Sequence, residues 1–116
     1  MFLAEVSLLT NDVIRLSDFY KKVLDTASDC NDAVHQTLDT RGVSLTIYDD
    51  GSTKNNRNEN ISLAFTVDDV DKEYERLRKM GITILEPPTT RPWGARNMHF
   101  QDPDGNHIYF RTLEVH

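Results

Sequence analysis

Cysteine is almost missing: Cys30 is the single thiol in 116 residues. That count excludes an intrachain disulfide and a structural zinc site built from several thiolates, and Cys30 reads as an incidental thiol in a polar loop. Basic charge is also scarce. Thirteen Lys and Arg face 19 Asp and Glu, giving a formal net charge of −6 and a pI near 5.0. Nucleic-acid backbones and anionic membranes select for the opposite balance, so neither is expected as a partner, and a cationic or neutral small molecule suits the charge better. No apolar run approaches the ~20 residues of a membrane span. The first residues lack the basic region, apolar stretch and small-residue cleavage site of a signal peptide. A soluble cytoplasmic protein is the expectation.

What is present is organised around residues 92–110. Asp102-Pro103-Asp104-Gly105 supplies a fixed φ at Pro103 and a residue free to take positive φ at Gly105, the chemistry of a tight turn. On either side the side chains alternate. Met98, Phe100, Ile108 and Phe110 point one way, while Asn97, His99, Gln101, His107, Tyr109 and Arg111 point the other. One face of this β-hairpin is oily and the other is dense in functional groups.

The rest of the chain repeats one order. Residues 2–9 read as a strand with Glu5, Ser7 and Leu9 on one face. Thr10-Asn11-Asp12 offers capping oxygens, and Val13, Leu16, Phe19, Tyr20, Val23 and Leu24 recur at helical spacing to about Asp25. Residues 26–32 are polar enough to hold only a short edge strand or a loop; 33–38 and 43–48 are strands around a turn. After residues 49–60, which carry no large apolar side chain and read as a linker, the order returns. It runs as a strand at 61–67, a helical stripe of Val70, Tyr74, Leu77 and Met80 stopped by Gly81, a strand at 82–85 terminated by Pro87-Pro88, and the hairpin. The run Asp68-Asp69-Val70-Asp71 is a helix start, with capping and dipole complement as its role. This is an internal duplication within a single domain, residues 1–116: module one 1–48, linker 49–60, module two 61–116. The fold class is α+β, with two four-stranded curled mixed sheets facing one another across a cup.

Three stretches resemble the vicinal oxygen chelate superfamily, which groups glyoxalase I, bleomycin-resistance proteins and extradiol dioxygenases. They are the first-helix run from Leu16 to Leu24, with Asp25 where glycine is usual; the run Leu63-Ala64-Phe65-Thr66-Val67-Asp68-Asp69-Val70 with Tyr74 to Gly81; and Pro92-Trp93-Gly94 through Asp102-Pro103-Asp104-Gly105-Asn106. The resemblance implies paired βαβββ modules, a ligand cup between them, and often a homodimer. It also implies metal ligands on the first and last strands of each module, where this chain carries Glu5, Thr46, Ser62 and Tyr109. Members that bind metal use mostly His and Glu there. Neutral hydroxyls hold a divalent cation poorly, so no metal and no cofactor are expected.

Each polar candidate has two readings. Glu5 either serves a ligand, by meeting its cationic group or acting as a catalytic base, or it pairs internally with Arg96 or Arg111 or lies exposed at the cup mouth. Tyr109 and Tyr48 offer ligand surfaces or are ordinary sheet tyrosines, and Trp93 lines a pocket rim or packs on the sheet edge. His99 and His107 fall on one face of the hairpin, where a simple register makes them neighbours. They form either a solvated pair or, with Glu5, a two-His, one-carboxylate metal set. His35 and His116 carry no signal. The leading expectation is a metal-independent protein like the bleomycin-resistance branch, sequestering a small organic ligand, aromatic or cationic, at Glu5, Thr46, Tyr48, Ser62, Trp93, His99, His107 and Tyr109. The alternative is a glyoxalase-like lyase or isomerase, or a dioxygenase-like enzyme, with a non-standard metal site and Glu5 as base.

Overall fold

A computed structural model describes residues 1–52 and 61–113. Most of the expected linker, residues 53–60, lies outside them, as does His116. The chain divides into two compact units, Met1–Arg57 and Asn58–His116. No helix among the described residues is long and apolar enough to cross a membrane.

In the first unit the elements run β1 (Glu5–Leu9), α1 (Val13–Val23), β2 (His35–Leu38) and β3 (Ser44–Tyr48). Asp12 caps α1 by accepting from the Arg15 amide at 3.2 Å, and Val13, Leu16, Tyr20 and Val23 form its buried stripe. The stripe lies against β2 and β3, where Leu38, Leu45 and Ile47 complete the core. Asp25 ends the helix at φ +50, the only positive-φ residue other than glycine among the described residues. This left-handed conformation explains why a glycine suits the position.

The second unit runs β4 (Ser62–Thr66), α2 (Val70–Lys79), β5 (Ile84–Thr90), β6 (Ala95–Gln101) and β7 (His107–Leu113). Asp69 caps α2, accepting from the amides of Asp71 and Lys72, so the acidic run does serve as a helix start. Arg96 on β6 donates to both carboxylate oxygens of Asp71 at 2.9 and 3.0 Å, tying the first turn of α2 to the sheet. Val70, Leu77, Met98, Phe100, Ile108 and Phe110 are buried together, with the Phe100 and Phe110 rings edge-to-face at 5.1 Å.

Both units share one topology. The first strand pairs in parallel with the last, and the last pairs antiparallel with its predecessor, giving orders β1-β3-β2 and β4-β7-β6-β5. The two units thus repeat one order of hydrogen-bonded strands, within an α+β fold.

Three local expectations need correction. The first sheet has three strands rather than four, because the polar 26–32 stretch contributes only an isolated antiparallel bridge, Ser28 to Leu38. Thr46 and Tyr109 consequently lie on the third and seventh strands. Second, the strand expected at 82–85 begins at Ile84 and runs through Pro87-Pro88 to Thr90. It tolerates the prolines because β5 is an edge strand and its pairing with β6 slips register between Glu86 and Thr89. Third, Leu63 and Phe65, which the alternation of the strand at 61–67 puts on one face and predicts to be buried beneath a helix, are only half-buried. They share the oily face of Phe110, whose ring Phe65 meets at 6.0 Å, but α2 lies over β5, β6 and β7 rather than over β4.

The hairpin turn is held by one buried side chain. Asp102 Oδ1 accepts from the amides of Asp104 and Asn106, both at 2.9 Å, and Oδ2 accepts from Asn106 Nδ2 at 2.8 Å. Asp102→Ala leaves these donors unpaired and is expected to destabilise the fold by about 2–4 kcal/mol in urea titration. Asp102→Asn, which keeps an acceptor for the two amides, should cost roughly half as much.

Candidate functional site

Alternation along four strands builds the polar face of the second sheet. Its registers place Ala64 beside Tyr109, Tyr109 beside His99, His99 beside Glu86, and Arg111 beside Asn97. A cavity of about 400 Å³ opens on this face. Ala64, Ala95 and Tyr109 contribute to its lining, as do Glu86, Arg91, Asn97 and Arg111, with Ser62 and Trp93 completing it. A volume of this order accommodates a small organic molecule. Trp93 lines the cavity while remaining 73% exposed, which makes it a rim residue and not one packed on the sheet edge.

Beside the cavity runs a chain of hydrogen bonds. Arg91 Nη2 donates to Glu86 Oε2 at 3.1 Å, and Arg91 Nε to Asn97 Oδ1 at 3.0 Å. Glu86 Oε1 lies 3.4 Å from His99 Nδ1, and His99 Nε2 lies 2.8 Å from His107 Nδ1. The His99 ring stacks on Tyr109 with centroids 4.5 Å apart and planes 5° from parallel. A carboxylate can only accept, so the proton order follows: His99 carries its proton on Nδ1, and His107 donates from Nδ1 to His99 Nε2. His107 Nε2 is left with a lone pair. Burial, with the neighbouring His107 second, pushes His99 below the usual imidazole range, while the hydrogen bond from Arg91 holds Glu86 below the usual carboxylate range.

The sequence candidates fall on both units. Ser62, Trp93 and Tyr109 line the cavity of the second unit, and His99 and His107 form the adjoining pair. Glu5, Thr46 and Tyr48 lie on the first unit's sheet. There Glu5 is exposed and accepts from Ser7 Oγ at 2.8 Å, and the Ser7 and Thr46 hydroxyls keep its carboxyl below the usual range. A carboxylate so stabilised is a weakened base. Thr46 is buried, and Tyr48 is exposed with its ring edge-on to His35 at 5.4 Å. Of the arginines considered as partners for Glu5, Arg96 binds Asp71 and Arg111 Nε donates to Thr66 Oγ1 at 3.2 Å.

Glu86 and Arg91 were not legible as site residues, because the rule that prolines end a strand hid the stretch of β5 on which Glu86 sits. The alternation of the hairpin did carry the signal for Asn97 and Arg111.

The metal implied by the family resemblance does not fit these residues. Its four positions hold one carboxylate, already hydrogen-bonded by Ser7, and three neutral hydroxyls. Both nitrogens of His99 are turned to Glu86 and His107, so the histidine pair does not present two free lone pairs. Among the described residues no group of three or more His, Cys, Asp and Glu side chains could hold a metal ion.

The family model for the Glyoxalase/Bleomycin resistance protein/Dioxygenase superfamily matches residues 3–110. A curated relative, the uncharacterised protein YraH of Bacillus subtilis (strain 168), is 47% identical over 47 residues, covering 40% of this chain and 37% of YraH. The chain thus aligns with well under half the length of that relative. Among solved structures, a "conserved domain protein" matches 98% of this chain and 100% of its own, with a TM-score of 0.88 and 23% identity. A glyoxalase/bleomycin resistance protein/dioxygenase from Nocardioides matches 97% of this chain and 83% of its own, with a TM-score of 0.80 and 22% identity. At these identities the two structures speak for the fold alone.

The lowered His99 value links the site to stability. Below its ordinary value of about 6.5 the unfolded chain takes up this proton before the folded chain does. The stabilisation is therefore complete above that pH and is lost as pH falls toward the folded value. Urea midpoints measured from about pH 7.5 to about pH 5 should decline, and His99→Gln should flatten the decline. Parallel curves for the two proteins would remove His99 from the linkage.

Proposed function

The chain belongs to the glyoxalase/bleomycin resistance protein/dioxygenase superfamily, and we propose that within it the protein binds a small organic molecule, without a metal, on the polar face of its second sheet. The cavity of about 400 Å³ carries this reading, since it combines an aromatic rim at Trp93 with a few fixed polar anchors. Metal independence rests on the donor set, in which hydroxyls stand where carboxylate or imidazole would be required. The same reading includes a homodimer, an assembly the family resemblance often implies.

A second reading is favoured by one observation, the ordered chain from Glu86 through His99 to His107. It leaves His107 Nε2 as an acceptor backed by a carboxylate, an arrangement suited to taking a proton from a bound acid. In that enzymatic reading His107, and not the weakened Glu5, is the base. A His107→Gln variant separates the two, abolishing turnover in an enzyme while leaving binding nearly intact.

Trp93 is the only tryptophan, so the indole N–H cross-peak of the labelled protein reports on the cavity alone. Titration with small planar organic compounds should shift that peak, and Trp93→Ala should weaken the best binder on the order of tenfold. A chelator should leave the affinity unchanged. A library whose binders never move the indole would refute the cavity as the site. Sedimentation at micromolar concentration should show a dimer, and a monomer alone at that concentration removes the association from the proposal.

A further inference from the structure

The cavity's charges and hydrogen-bonding groups do not cancel. Glu86 is matched by Arg91, which spends Nη2 on the carboxylate and Nε on Asn97 Oδ1. Arg111 also lines the cavity, yet no carboxylate pairs with it among the described residues. Its Nε is engaged by Thr66 Oγ1 at 3.2 Å, which steadies the side chain and leaves the two terminal nitrogens their donor capacity. Asn97, the cross-strand neighbour of Arg111, has its oxygen occupied by Arg91. Asn97 lines the cavity, and the amide nitrogen that remains to it is a donor. The sum is one uncompensated cation and a surplus of donors over acceptors.

Building on the cavity reading, we propose that the ligand is a planar monocarboxylic acid bound as its anion, with the carboxylate on Arg111 and Asn97 and the ring system against Trp93. A single unmatched guanidinium balances one negative charge, which favours a carboxylate over a doubly charged phosphate, and its terminal fork matches the two carboxylate oxygens. The neighbouring His99, pushed down by burial, adds no competing cation near neutral pH. The protein's overall charge of −6 does not oppose this locally, because charges beyond a Debye length of about 8 Å are screened at physiological salt. This is the opposite ligand charge from the one that net composition and Glu5 suggested.

The test compares three probes of nearly equal shape by calorimetry: 2-naphthoate, its neutral amide and the corresponding naphthylmethylammonium. The Trp93 indole cross-peak reports whether each occupies the cavity. On the unaltered protein the acid should bind at least about tenfold more tightly than the amide, and the ammonium weakest. Arg111→Gln should bring the acid-to-amide ratio close to one by weakening the acid alone. Arg111→Lys should retain part of the preference. Equal or tighter binding of the amide or ammonium, with the indole peak moving, overturns the carboxylate assignment and leaves the cavity reading standing. If none of the three moves the indole, both fall. An Arg111→Gln variant that weakens acid and amide equally overturns the role of Arg111 even if the preference persists.

Discussion

The antiparallel register between β6 and β7 is the constraint on which the second unit depends. Side chains alternate with a period of two, so a slip of one residue would carry Met98, Phe100, Ile108 and Phe110 out of the core and drive Asn97, His99, Tyr109 and Arg111 into it. Asp102 prevents the slip by closing the turn, its buried carboxylate accepting three hydrogen bonds. Packing and chemistry thus share one origin. The same pairing that buries four apolar side chains under α2 presents the histidine pair and Arg111 on the other side.

The helices were legible because each combines a clean apolar stripe with a capping aspartate, Asp12 or Asp69, and both signals are local. The hairpin was legible for the same reason. Its alternation also put His99 and His107 on one face, and a short turn makes such residues neighbours. What local signals could not supply was position within the sheet. Proline ends an interior strand but not an edge strand, and only the assembled order β4-β7-β6-β5 reveals that β5 is an edge. Glu86 and Arg91 were lost with that strand, and with them the partners that fix the His99 tautomer and the charge balance of the cavity. Composition misled in a related way, since a net charge averages over a surface while a ligand meets only the few groups around it.

In this unit the ionisable groups stand apart from the positions that the family resemblance marks for metal ligands. Ser62 on β4 and Tyr109 on β7 occupy the positions where the family resemblance implies metal ligands, and both are neutral. The charged and titratable groups stand nearby, on β5 and β6 as Glu86 and His99, on β7 as His107 and Arg111, and on the following loop as Arg91. The scaffold is unchanged by this, because these side chains lie on the face opposite the core. That separation is how one fold carries different chemistries.

The two prolines of β5 have a consequence beyond the strand they occupy. An outermost strand presents unpaired amide donors that invite another chain to add itself as a further strand. Pro87 and Pro88 have no such donors, and the slipped register beside them interrupts the regular spacing a newcomer would have to match. The corresponding margin of the first sheet is guarded differently. Beside β2 the Ala27–Asp29 backbone folds back, with the Asp29 amide donating to Thr37 O and the Asp39 amide to Ala27 O, each at 3.0 Å. The vestigial fourth strand of one unit and the proline pair of the other are therefore two solutions to the same hazard, uncontrolled polymerisation through the sheet margins.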